Sequence, residues 1–130
     1  MKLPKVIAAI KLPTTQEAYL QLKVLLPYKK STLLQLVHLI THIKAKDGML
    51  HIYLKDKTIV HCQLSITCIL ALLPAPQFLQ CHESYIINSN YITEHIAGDG
   101  GDFMINKLFR IPISRLHKEE AMIALAATAN

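Results

Sequence analysis

A chain of 130 residues lies within the ~100–200 residue span of a single domain, and its 52% apolar content is enough for one hydrophobic core. The formal charge of +5, with a pI near 9.2, favours an anionic partner, because a cationic surface concentrates phosphates and acidic ligands around it. Three cysteines without a CxxC pair exclude a disulfide framework and a zinc knuckle, and the apolar run Val6–Ile10, held between Pro4 and Pro13, is far short of the ~20 residues of a membrane span and of a leader's apolar core. A soluble, reduced, cytoplasmic protein is expected, unprocessed, with no metal, no cofactor and no membrane partner.

The charge is unevenly placed. Residues 1–28 carry four lysines against Glu17, and residues 29–57 carry Lys29, Lys30, Lys44, Lys46, Lys55 and Lys57 against Asp47 and Asp56, so these stretches net +3 and +4. Beyond residue 80 four cations face six carboxylates, for a net of −2. The basic field therefore belongs to the first half.

Residues 1–21 read as an N-terminal extension that ends in a helical start at 14–21, where Thr14-Thr15 precede Gln16 and Glu17 as a capped first turn would. Short strands follow at 22–27, 33–37 and 39–44. In Met49–Leu54, Leu50, Ile52 and Leu54 alternate with Met49, His51 and Tyr53, giving one apolar and one mixed face; Lys55-Asp56-Lys57 then turns this strand into another at 58–62. Ser65 opens a helix of about two turns that Pro74 stops. Strands at 78–82, 84–88, 91–97, 102–106 and 109–113 complete the set, and Gly98-Asp99-Gly100-Gly101 supplies the positive φ that a hairpin turn needs. The alanine-rich stretch from Glu119 to Asn130 is a terminal helix or a frayed end. The fold class is mostly β: antiparallel sheets with one short internal helix and helical accessories at the ends.

Within this frame, Phe78-Leu79-Gln80-Cys81-His82-Glu83-Ser84-Tyr85-Ile86-Ile87-Asn88, then Tyr91-Ile92, then Ile111-Pro112-Ile113-Ser114-Arg115 stand in the order and spacing of a LytTR domain. The chain resembles that family over residues 22–120, leaving 121–130 as a C-terminal tail. The resemblance implies a multi-sheet β-domain that reaches through loops into successive major grooves of promoter DNA, often as two copies on repeated sites. Cations and backbone N–H groups would hold phosphates while a few side chains read base edges. It further implies a bacterial response-regulator output domain of a two-component system. Such domains commonly follow a receiver domain, for which 130 residues leave no room, so a free-standing regulator or a fragment of a longer one is expected.

The resemblance places Arg115 at the basic position after the last strand, where it suits bidentate guanine recognition or a phosphate clamp, with Lys118 as a further cation. A second position falls on His82-Glu83-Ser84. There the family usually carries a basic or amide residue; Glu83 repels phosphate but can accept a hydrogen bond from cytosine N4. A third is the loop Lys46-Asp47-Gly48, in which Gly48 offers a backbone N–H and Lys44 and Lys46 supply the charge. Lys29 and Lys30, at another turn, are weaker candidates of the same kind. Plain structural roles compete with each: an exposed charge at Arg115, a hydrogen-bonded strand-end imidazole at His82, a solvated face for the lysines. Tyr85 and Ile87 share one strand face, Asn88 suits the turn into Tyr91, and Cys81 reads as a small buried residue whose adjacency to His82 alone motivates a redox-sensitive alternative.

Enzymatic readings find little to build on. Of seven histidines, His38 and His42 lack a partner carboxylate, His61 and Cys62 point to opposite faces of a strand, and neither a nucleophile elbow nor a Gly-rich phosphate loop is present. An aromatic content of 6% without Trp argues against stacking platforms for single-stranded nucleic acid. Two functions remain. One is sequence-specific double-stranded DNA binding by a transcriptional regulator, with a homodimer on the DNA and a partner regulator or sensor protein as companions. The other is a LytTR-fold interaction module that modulates another regulator with weak or no DNA binding, which Glu83, Gly48 and the acidic balance after residue 80 favour.

Overall fold

The structure is a computed structural model that describes residues 15–128. The Val6–Ile10 run and most of the expected 1–21 extension lie outside the described residues, as do 129 and 130. A short helix α1 (Gln16–Leu20) opens the described chain, and Thr15 Oγ1 accepts the Ala18 N–H at 3.0 Å, which is the capping anticipated from Thr14-Thr15. Ten strands follow: β1 (Lys23–Tyr28), β2 (Ser31–Leu36), β3 (Ile40–Lys46), β4 (Met49–Leu54), β5 (Ile59–Cys62), β6 (Phe78–His82), β7 (Tyr85–Asn88), β8 (Ile92–Ile96), β9 (Asp102–Ile105) and β10 (Phe109–Pro112). Helix α2 (Ile66–Leu72) lies between β5 and β6, with Ser65 Oγ accepting the Cys68 N–H at 3.0 Å.

All pairings are antiparallel, in three sheets: β1-β2, β5-β4-β3-β7-β6 and β10-β9-β8. The five-stranded sheet is the middle layer, because its two faces feed two cores. Ile43, Leu50, Ile52 and Ile86 pack with Val24 and Leu26 of the β1–β2 hairpin and with Ile69 of α2. On the other face Leu79 and Ile87 meet Phe103, Ile105, Ile111 and Ile113 of the three-stranded sheet. Neighbouring residues therefore part company, Phe78 to one core and Leu79 to the other, Ile86 to one and Ile87 to the other, as the two-residue period of a strand requires. Each fully buried Ile, Leu or Phe contributes on the order of 1.5–3 kcal/mol.

Asn88 joins these layers. It is fully buried; its Nδ2 donates to the Ile40 carbonyl at 2.9 Å, and its Oδ1 accepts from the Asn90 N–H at 3.0 Å and from Gln77 Nε2 at 3.1 Å. The expected turn role is there, together with a tie across to β3.

The largest departure from expectation is the last helix. Helix α3 (Arg115–Thr128) begins four residues before Glu119, so Arg115 is its first residue rather than part of a loop. Packing sets this start. The Ser114 N–H donates to the Cys81 carbonyl at 2.9 Å, Ile113 is buried just before it, and Ala121 is buried one and a half turns in, which seats the helix on β6. Ser84, expected within a strand, lies in the β6–β7 turn.

Candidate nucleic-acid interface

The register of the middle sheet arranges side chains in rows across its outer face. One row runs Ile59, Tyr53, His42, Ile87, Leu79, each opposite the next. Around His42 it is covered: its ring stacks on Tyr53 at 4.2 Å and meets Phe109 of β10 at 4.7 Å. Burial pushes the His42 imidazole down to about 4, so near neutral pH it is an uncharged structural ring. The next row toward the β3–β4 turn runs His61, His51, Lys44, Tyr85, His82, again each opposite the next. Here the cover ends; His61 is exposed and the other four are half-buried.

Three turns gather at this end. The β3–β4 turn holds Asp47 and Gly48 at φ of 54° and 73°, the left-handed pair of a tight hairpin, with open space around the Gly48 Cα. The β6–β7 turn, Glu83-Ser84, is bonded to β3 just before it, since the Ser84 carbonyl accepts the Ala45 N–H at 2.8 Å, and the Ser84 N–H donates to His82 Nδ1 at 3.0 Å. His82 thus holds the turn with one nitrogen and presents Nε2 to Glu83 Oε1 at 3.9 Å. The α3 start is the third member, through the Ser114–Cys81 bond already noted.

Glu83 reaches across to α3. Its Oε2 accepts from Ser114 Oγ and faces His117 Nδ1, both at 3.1 Å, and Ser114 Oγ and His117 Nδ1 lie 2.9 Å apart. The Ser114 hydrogen bond, aided by His82 and His117, holds the Glu83 carboxyl below the usual carboxylate range. A carboxylate at a helix N-terminus is also favoured by the exposed N–H dipoles there.

Arg115 projects from the same turn of α3. Its guanidinium, 84% exposed, pairs at 3.1 Å with Asp99 of the β8–β9 loop, itself 90% exposed. Such an exposed pair contributes only about 0–1 kcal/mol, so a phosphate or a guanine edge can displace Asp99 at little cost. Lys118 lies one helical turn beyond Arg115. Lys44 stands with its Nζ 5.8 Å from the Tyr85 ring centre, and Lys46 is exposed at the strand's end.

The eight residues singled out from sequence therefore fall on three adjacent segments: Lys44, Lys46 and Gly48 on β3 and its turn, His82, Glu83 and Ser84 on the β6–β7 turn, Arg115 and Lys118 on α3. Sequence reasoning passed over Ser114, His117 and Asp99 as their partners, and no local signal could pair Glu83 with Ser114 across 31 positions. It also passed over His51 and His61, although the alternation in Met49–Leu54 had already put His51 on the mixed face. Cys81 is fully buried and burial pushes its thiol up to about 12, which disfavours the thiolate and supports the small-buried-residue reading. Among the described residues no group of three His, Cys, Asp or Glu side chains is arranged to hold a metal ion, and no helix is long and apolar enough to cross a membrane.

The LytTr DNA-binding domain family matches residues 30–125. The chain belongs to that family. All three turns lie inside the matched segment, and the family is one of DNA-binding domains of regulators. Among solved structures, the LytTr DNA-binding domain of a protein described as a methyl-accepting/DNA response regulator from Bacillus cereus superposes with a TM-score of 0.69. It is 20% identical, covering 79% of this chain and 95% of that one, which establishes the shared LytTr fold. No curated protein matches the chain in sequence.

Proposed function

We propose that this LytTr domain binds double-stranded DNA sequence-specifically in the major groove and regulates transcription in the bacterial cytoplasm, using the end of the middle sheet where the three turns meet. The supporting observation is the convergence of Arg115, Lys46, Lys44 and the open Gly48 backbone on that end, from two distant stretches of chain. Arg115 has the reach and the forked donors for a guanine edge. Lys44, Lys46, the Gly48 N–H and the Ser84 hydroxyl suit phosphates. Operators would be promoter repeats taken by two copies, with a sensor or partner regulator upstream.

The rival, a LytTr-fold interaction module without DNA affinity, drew on Glu83 and the acidic second half. Glu83 accepts from Ser114 Oγ beside His117, so this carboxylate has a structural part at the start of α3, and its place in the motif does not by itself call for a protein partner.

The test is binding to promoter duplexes across salt. Affinity should fall steeply with salt as counterions are released, and Arg115→Ala should cost about 1–3 kcal/mol and relax specificity at one base pair. Lys46→Ala should weaken all sequences alike and reduce the salt slope by about 1. Affinity that ignores salt, with no protected sites in a footprint, would overturn the proposal.

A further inference from the structure

We infer that the row His61–His51–Lys44, flanked by Lys29 and Lys46, is a phosphate track for duplex DNA that extends the interface from the turns across the open half of the sheet, and that its hold tightens as pH falls through the imidazole range. The inference rests on the DNA-binding reading above and adds to it a surface and a regulation.

Geometry comes first. His61, His51 and Lys44 sit opposite one another on β5, β4 and β3, so with strands ~4.8 Å apart they form a line of about 10 Å on one face. The two imidazoles meet edge to face at 4.7 Å. Lys46 lies two residues beyond Lys44 toward the β3–β4 turn, and Lys29, at the β1–β2 turn, lines a groove with Tyr28, Met49 and His61. The line thus runs without a break from the proposed DNA end to the edge of the sheet.

Charge comes second. The groups that bear on His51 are Lys44 and Lys46 from β3, Asp47 from the turn and His61 from β5; Tyr85 of β7 lies beyond Lys44, and Lys29 lines the groove that His61 also lines. Asp47 is the one acid in this set. Among the described residues, Lys29, Lys44 and Lys46 have no carboxylate within 4.0 Å. Desolvation, and then the charges of His61, Lys44 and Lys46, hold His51 below its ordinary value, with Asp47 opposing. Protonation there is opposed by unanswered positive charge. A row of phosphates would answer it, and would then favour the protonated His51 ring. A metal ion is the wrong occupant, because two lysines would repel it.

The experiment measures affinity for a mixed-sequence duplex against salt at about pH 8 and about pH 6, either side of the ordinary imidazole value of ~6.5. The whole chain is used, as wild type, as His51→Gln/His61→Gln and as Lys44→Gln, with circular dichroism to check that each is folded. Wild type should show a salt slope steeper by about 1 at the lower pH, the increment expected when the His51 imidazole meets a phosphate. The double variant should lose most of that steepening, while Lys44→Gln should lower the slope by about 1 at both pH values. Binding whose slope does not steepen, or steepens equally in the folded double variant, overturns the track and leaves the turn-mediated reading standing. Absence of salt-dependent binding at either pH overturns both.

Discussion

His42 and His51 project from neighbouring strands onto the same face of the middle sheet, one row apart, and meet opposite surroundings. His42 is 2% exposed, packed between Tyr53 and Phe109 and bonded through Nδ1 to Thr41 Oγ1 at 3.0 Å. His51 faces another imidazole and a set of lysines, with Asp47 the one acid that bears on it. Residue type does not separate them; the edge of the β8–β10 sheet does. Rows beneath it become core, and the row just beyond keeps its charge available to a ligand. The proposed DNA surface is thus the part of a sheet face that its covering layer leaves bare.

The largest expected effect breaks this contrast from the core side. Ile87, opposite His42 and fully buried, should cost about 2–5 kcal/mol as Ile87→Ala, while His51→Ala one row out should fall within about 0.5 kcal/mol of wild type. Urea denaturation measures both. Equal losses would mean that the outer row is as much core as the inner one.

Next is the pH dependence of folding. Burial holds the folded His42 at about 4 against an unfolded value near 6.5, so the unfolded chain takes up the proton first as pH falls. The contribution of neutral His42 is complete above about pH 6.5 and is lost progressively down to about pH 4, for a total on the order of 3 kcal/mol. His42→Phe keeps a ring against Tyr53 and Phe109 and should flatten that part of the stability profile. A variant profile as steep as wild type between those limits would place the titration elsewhere.

How far these features could be read from sequence follows from their range. The ten strands were legible because strand alternation and turn residues are local: Asp56 Oδ1 accepts the Thr58 N–H at 2.9 Å in the expected β4–β5 turn, and Gly100 and Gly101 take φ of 92° and 87° in the expected β8–β9 turn. The beginning of α3 was hidden because it depends on a bond to Cys81 and on Ala121 entering a core formed by distant strands. The candidate DNA residues were found one by one through the family motif. Their union on one end of the sheet, and the addition of His51 and His61, required the register, which pairs residues tens of positions apart.

The smallest expected effect bears on Glu83, the residue at the centre of the family motif. If its carboxylate reads cytosine, Glu83→Gln should weaken binding to one base pair and leave others unchanged. If it is an anchor for the α3 start, the amide still accepts from Ser114 Oγ through its carbonyl oxygen while a negative charge beside the phosphates disappears. We expect the second outcome, since Oε2 is already committed to Ser114 and His117. Affinity for every duplex should then rise by about two- to fivefold at low salt, with the gain fading as salt screens it. The folded protein should also become less sensitive to acid in the carboxylate range. Wild-type Glu83, held below its ordinary value, adds stability that is present above the unfolded carboxyl value and is lost as pH falls through the folded one. Loss of discrimination at a single position, without the general gain, would return Glu83 to the base-reading residues and make this surface differ from its bare-row neighbour in kind as well as in charge.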